Sequence, residues 1–121
     1  MSRTIQVIHC AYEGLNPFDK QPQVVAIVTA DHDTIEEDLE YAFRWTQNIG
    51  GCWSMEADSP LLPHNPDHND NVEVIVPLPF DADKGHHIGL RSTSVNDIMV
   101  TDNQIWLVDR TGFKRLSFLS P

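Results

Sequence analysis

The chain has 121 residues, 40% of them hydrophobic, and 18 Asp and Glu against 8 Lys and Arg give a formal net charge of −10. That length suits one domain and is short for two. The charge disfavours nonspecific contact with a phosphate backbone, and no apolar run approaches the ~18 residues of a membrane span, so neither nucleic acid nor membrane is an expected partner. Residues 1–60 hold 10 acidic and 3 basic residues, and residues 61–121 hold 8 and 5. An acidic front half suits a basic protein partner, or a surface kept soluble by charge alone. Met1-Ser2-Arg3-Thr4 runs straight into an alternating segment without the apolar stretch of a signal peptide, so a cytoplasmic location is expected. Cys10 and Cys52 are too few for a disulfide framework and read as small buried thiols, a Cys10–Cys52 bridge being the alternative.

In chain order, Ile5–Tyr12 reads as a first strand and Glu13–Pro22 as a loop rich in Gly, Asn and Pro. Val24–Ala30 is continuously apolar and β-branched, the pattern of a strand covered on both faces. A helix over about residues 34–49 follows, with Asp33 or Thr34 as its cap, Asp33 and Glu36 at capping-box spacing, and Glu36, Glu37, Asp38 and Glu40 crowding its positive end. Ile35, Leu39, Ala42, Thr46 and Ile49 fall on one stripe, and Gly50-Gly51 is the stop signal. Ala57–Asn71 reads as a long loop tucked down by Leu61-Leu62, and Val72–Leu78 as a half-buried strand. Phe80–His87 reads as a polar loop, Leu90–Ser94 as a short strand and Val95–Asp97 as a turn. Ile98–Thr101 and Gln104–Val108 form a hairpin across Asp102-Asn103, two residues that tolerate a type I′ turn. Gly112 marks a bend before Phe113–Phe118, and this C-terminal part suggests a small curled subsheet. The sum is an α+β domain: one principal helix against a largely antiparallel sheet of five to seven short strands.

No motif in this pattern carries an obvious reaction. His64 and His68, with Asp67 and Asp70, stand four apart, but Pro63 and Pro66 oppose a helix there and the spacing fits no structural zinc site. His86-His87 would be the other contributors; His9 and His32 read as strand and turn residues. Cys52 follows a helix C-terminus, which opposes thiolate formation. Arg91 with Ser92, Thr93 and Ser94 has the groups to cradle an anion, with satisfaction of turn amides before Asp97 as the competing role. If the helix end meets this turn, Gln47, Asn48, Trp53, Arg91, Ser92, Ser94 and Asp97 make one polar cluster with an aromatic wall: a ligand pocket, or an internal network locking helix to sheet. The helix-front acids Glu36, Glu37 and Glu40 are the candidate protein-binding residues. Arg110, Lys114 and Arg115 near Phe113 and Phe118 could hold nucleic acid, but suit a charged edge strand better. No cofactor, metal or catalytic residue is expected.

The segments LEYAFRWTQNIGGCW at Leu39–Trp53, RSTSVNDIMV at Arg91–Val100 and VDRTGF at Val108–Phe113 resemble a set of small uncharacterised proteins of bacteria, plasmids and phages. Asn96 stands where that set has Gly, and Asn can take the same left-handed backbone. The resemblance runs from Leu39 onward. It implies a shared fold and an accessory or mobile-element setting, and no activity. The functional expectation is a small acidic protein-interaction module, with anion or small-ligand binding at Arg91–Asp97 as the alternative and a hydrolytic enzyme behind both.

Overall fold

The computed structural model describes residues 2–10, 22–55, 65–78 and 80–118, with backbone alone at Asp81, His86, Ser117 and Phe118. Strands β1 (Arg3–His9) and β2 (Gln23–Ala30) lead into helix α1 (Ile35–Arg44), followed by β3 (Val72–Val74). Then come the two-residue strands β4 (Phe80–Asp81) and β5 (His86–His87), and finally β6 (Ile98–Thr101), β7 (Gln104–Asp109) and β8 (Gly112–Phe118). Six strands form one antiparallel sheet in the order β3-β2-β1-β6-β7-β8, while β4 and β5 pair with each other. The domain is therefore α+β, with its principal helix on a six-stranded antiparallel sheet. The C-terminal hairpin is no separate subsheet: β6 pairs with β1 through Gln6–Val100, Val7–Met99 and Ile8–Ile98 and so continues the main sheet.

The sheet has two unlike faces. Ile5, Val7, Val28, Met99 and Val108 point to one side, where they bury against Leu39 and Ala42 of the helix and against Trp53 and Leu90. Burying each such side chain stabilises by roughly 1.5–3 kcal/mol. Period-2 alternation places the other residues opposite. There the register lines up Ile27, Gln6, Val100 and Ile105 in one row, with Glu73 at its β3 end. The next row is Val24, Ile8, Ile98 and Leu107, with Lys114 at its β8 end. These aliphatic side chains are half-buried, and none packs against the core cluster. Val24–Ala30 is thus covered on one face by described residues rather than on both.

The helix begins as its acids suggest, on the second of the two expected caps. Thr34 is the cap: its Oγ1 accepts from the Glu37 amide at 3.2 Å and donates to Glu37 Oε1 at 3.1 Å, so the box is Thr34–Glu37 rather than Asp33–Glu36. It also ends early, at Arg44 rather than near residue 49. Thr46 turns its hydroxyl back onto the carbonyls of Ala42 (2.8 Å) and Phe43 (3.3 Å), and Gln47 and Asn48 find tertiary partners instead of a further helical turn. Ile49 consequently leaves the apolar stripe and is 68% exposed. A stripe position that sequence assigns to no core role, Asp38, is fully buried.

Three other segments depart from expectation. Leu90–Ser94 forms no strand, because its backbone bonds to side chains and loops, and the expected Val72–Leu78 strand shortens to Val72–Val74 before Pro77. Phe80–His87 folds back as the β4–β5 pair with Gly85 at φ +74°. Leu61-Leu62 lies outside the described residues. No disulfide joins Cys10 and Cys52, and among the described residues no helix is long and apolar enough to cross a membrane.

Between β6 and β7, Asp102 and Asn103 both sit at positive φ (51° and 60°), as the hairpin pattern demands. A β-branched side chain there meets the left-handed strain of ~1–2 kcal/mol per residue. Asn103→Val is therefore expected to lower stability by about that amount in chemical denaturation, whereas Asn103→Gly is expected to match or exceed the parent chain.

Candidate functional site

The polar cluster proposed from sequence does assemble, around an arginine fork filled by the protein's own carboxylate. Arg91 Nη1 donates to Asp97 Oδ2 at 2.6 Å and Nη2 to Asp97 Oδ1 at 2.8 Å. The same nitrogens reach the carbonyls of Ser92 (3.0 Å) and Cys10 (3.1 Å). Asp97, itself buried, accepts from the backbone amides of Cys10 (2.9 Å) and Ser94 (2.8 Å). The turn behind it has Asn96 at φ 78°, the left-handed conformation that Asn supports.

The residues after the helix attach to the same segment. Gln47 Nε2 donates to Thr93 O (2.8 Å), Asn48 Nδ2 to Leu90 O (2.9 Å), and the Asn48 amide to Ser92 Oγ (2.8 Å). Trp53, 1% exposed, donates from its indole to Arg91 O at 2.8 Å, and its amide donates to Asn48 Oδ1 at 2.9 Å. Arg91, Ser92, Ser94, Asp97, Gln47, Asn48 and Trp53 are therefore neighbours, joined by hydrogen bonds to one another or to the backbone of residues 90–93. An anion would have to displace Asp97 to use the arginine fork.

His9 completes the cluster from β1. Its ring is buried, lies 6.0 Å from the Trp53 ring edge-on, and shares a 3.0 Å hydrogen bond between Nε2 and Thr93 Oγ1. Burial, reinforced by the Arg91 charge, pushes its pKa down to about 4. Burial and the Asp97 carboxylate push the Cys10 thiol up, which opposes thiolate chemistry there.

Two more buried carboxylates were hidden among the many acids of the sequence. Asp67, 1% exposed, accepts at Oδ2 from three successive amides, Ile49 (2.7 Å), Gly50 (2.8 Å) and Gly51 (2.7 Å). Its other oxygen stands 3.4 Å from Arg44 Nη1. The two glycines thus form an anion cradle rather than a helix stop. A Cβ on Gly50 would come within 2.8 Å of Pro66 Cγ, so the close approach of this loop requires glycine. Asp38 accepts at Oδ1 from the His32 amide (2.9 Å) and Nδ1 (2.7 Å), and its Oδ2 pairs with Arg3, which also bonds Asp102. Burial alone would raise the pKa of both carboxyls. The His32 and Arg3 bonds at Asp38, and the three amides with Arg44 at Asp67, outweigh it and hold both below the usual range.

Beside Asp38 lies a hollow of about 290 Å³ lined by Thr29, Ala30, Asp31, His32, Tyr41 and Asn71. Its polar groups already serve the fold: Tyr41 Oη accepts from Asn69 Nδ2 (2.8 Å) and Asn71 Nδ2 (3.0 Å), tying the helix to the approach to β3. A second hollow, about 240 Å³, runs between Phe43 of the helix and Phe113 of β8. Phe113 stacks edge-on with Phe43 at 6.3 Å, so it packs the core rather than standing beside Lys114 and Arg115 as a base-stacking platform. Phe118 has no described side chain.

Glu36, Glu37 and Glu40 are exposed on the helix, Glu40 beside the hollow that reaches Val108 and Phe113 of the sheet. Of the candidate metal ligands, His64 lies outside the described residues and His86 is described by backbone alone, while His68 Nε2 bonds Asp70 Oδ1 at 2.9 Å. Among the described residues no three His, Cys, Asp or Glu side chains converge as a metal set.

Two outcomes follow for solution work. The His9 Cε1 proton should titrate with a midpoint near 4 by NMR. The unfolded chain takes up that proton near pH 6.5 and the folded chain only near 4, so this contribution to stability is complete above about 6.5 and declines as pH falls between the two values. Asp38 and Asp67 act lower down: their stabilisation is full above the unfolded carboxylate pKa of about 4 and is lost as pH falls through their depressed folded values. Asp67→Ala strands three amides and Arg44 and is expected to cost about 3–5 kcal/mol in urea unfolding at pH 7, a breakage cost typical of buried charge partners.

Compared with known proteins, the chain matches no family model, no curated protein and no solved structure.

Proposed function

We propose that this domain is a protein-interaction module that binds through the face of its sheet opposite the helix. The observation that carries this reading is the pair of aliphatic rows through Ile27–Ile105 and Val24–Leu107, half-buried and not packed against the core. Two adjacent aliphatic rows that the core cluster does not use are the kind of surface a partner would cover. The polar clusters support the same reading from the other side. The Arg91 fork and the Asp67 cradle are both filled by the protein's own groups, so each explains rigidity better than ligand capture.

The helix acids then have a different task from the one sequence suggests. Glu36, Glu37 and Glu40 lie on the far side of the molecule, where their charge maintains solubility and leaves the apolar face as the attractive surface. The likeness of the Arg91–Val100 segment to small plasmid and phage proteins suits an accessory module whose business is contact rather than chemistry.

A photo-crosslinking residue placed at Gln6, which is exposed in the middle of the face, tests this in the native host. The expected result is a specific adduct that disappears with Val100→Lys and survives Glu36→Gln/Glu37→Gln/Glu40→Gln. An adduct from a probe at Glu37 instead, lost with Glu36→Gln/Glu40→Gln and indifferent to Val100→Lys, would move the contact to the helix and overturn the sheet-face reading.

A further inference from the structure

We infer that the occupant of the sheet face opposite the helix is a second copy of this chain, stacked sheet on sheet about a two-fold axis parallel to the strands. The inference rests on the sheet-face reading above and supplies its partner.

The argument is one of charge and register. The chain carries −10 overall, so two copies repel unless they meet where acids are scarce. On this face the register places an exposed acid, Glu73, on edge strand β3 and an exposed base, Lys114, on edge strand β8, with a second exposed acid, Asp109, at the end of β7. Neither Glu73 nor Lys114 makes a hydrogen bond or ion pair among the described residues. A foreign partner would need the inverse charge pattern, whereas a second copy has it by symmetry.

Geometry then selects the axis. The centre of the sheet is the β1–β6 pair. A two-fold along that seam lays β1 over β6 of the second copy, β2 over its β7, and β3 over its β8. Ile8 then meets Ile98 of the second copy, Val24 meets its Leu107, and Ile27 meets its Ile105. Glu73 comes over the strand that carries Lys114 of the second copy. Their rows are two residues apart, about 7 Å, a span that two long side chains cover. A two-fold running across the strands would stack β3 on β3 and β8 on β8, placing like charges together at each edge. Charge therefore favours the first arrangement.

Size sets the strength. Five interstrand gaps of about 4.8 Å by about six residues of 3.4 Å give a face of roughly 500 Å² per copy. The total of about 1,000 Å² sits at the lower bound for a specific interface, so the dimer is reversible rather than obligate.

Sedimentation velocity over about 1 μM to 1 mM, at low and at physiological ionic strength, tests the proposal, with circular dichroism confirming that each variant is folded. The wild type is expected to show a monomer–dimer equilibrium within that range. Ile98→Lys should abolish it by placing a charge against Ile8 of the second copy. Glu73→Lys and Lys114→Glu should each weaken it about tenfold at low salt, since each creates two repulsive contacts. The double reversal Glu73→Lys/Lys114→Glu should restore it, a recovery that a purely structural role for either residue would not produce. A dimer insensitive to Ile98→Lys, or two single reversals without recovery in the double, overturns the arrangement. A chain that stays monomeric while the Gln6 probe still captures a different protein overturns the second copy and leaves the sheet-face reading standing. Monomer behaviour together with no Gln6 adduct overturns both.

Discussion

The Arg91–Asp97 pair holds together parts of the chain that nothing local would bring to one place. Asp97 stands one residue before β6 and Cys10 one residue after β1, and the two strands meet through only three residue pairs. The carboxylate takes the Cys10 amide while the guanidinium takes the Cys10 carbonyl, so both backbone groups just beyond the short ladder are satisfied from β6's side. At the far end Thr101 Oγ1 donates to Thr4 O at 2.8 Å and Arg3 bonds Asp102. A short seam is thus pinned at both ends by side chains. The arrangement is expensive in desolvation, and it works because both Asp97 oxygens and both terminal nitrogens of Arg91 have hydrogen-bonding partners.

The rest of the polar interior follows from that seam. Once the 90–97 segment is fixed, Gln47, Asn48 and Trp53 have carbonyls and a hydroxyl to bond, and the chain leaves the helix early to reach them. Its glycine amides then face inward and need an acceptor, which Asp67 supplies from the loop before β3. Each step satisfies groups exposed by the one before, so the helix end, the 65–71 loop and the sheet form one connected hydrogen-bonded body. The opposite face of the sheet has no comparable set of partners among the described residues.

Sequence periodicity reported the local structure well. The β6–β7 hairpin was legible because Asp102-Asn103 stands between two alternating runs, and the helix start because acids follow a capping residue. The β2 run was legible as strand, but a continuous apolar segment does not say which residues cover each of its faces. The site was half legible. Composition alone grouped Arg91, its hydroxyl neighbours and Asp97, yet whether such a group forms a pocket or a clamp depends on Cys10 and Asn48, contacts set by tertiary distance. Asp38 and Asp67 were illegible for a plainer reason. In a chain with 18 acids a buried carboxylate looks like any other, and only a polar residue on the apolar stripe, as Asp38 is, offered a hint. The glycines after the helix misled because two backbone amides seeking an anion and a helix terminator share one sequence signal.

The strand order also has a kinetic meaning. β1-β2-β3 and β6-β7-β8 are two three-stranded halves, each built from pairings between neighbours in sequence, with α1 inserted in the first. Only β1–β6 joins them, through residues such as Gln6 and Val100 that stand far apart along the chain. Closing so long a loop is costly in entropy, though little more so than the β2–β3 closure, and it is rewarded by three residue pairs and the side chains that flank them. Pairing at such sequence separation is the kind that slows folding. Any chain in which the two halves stood undocked would expose both edges of the future seam, the arrangement in which strand exchange between molecules begins.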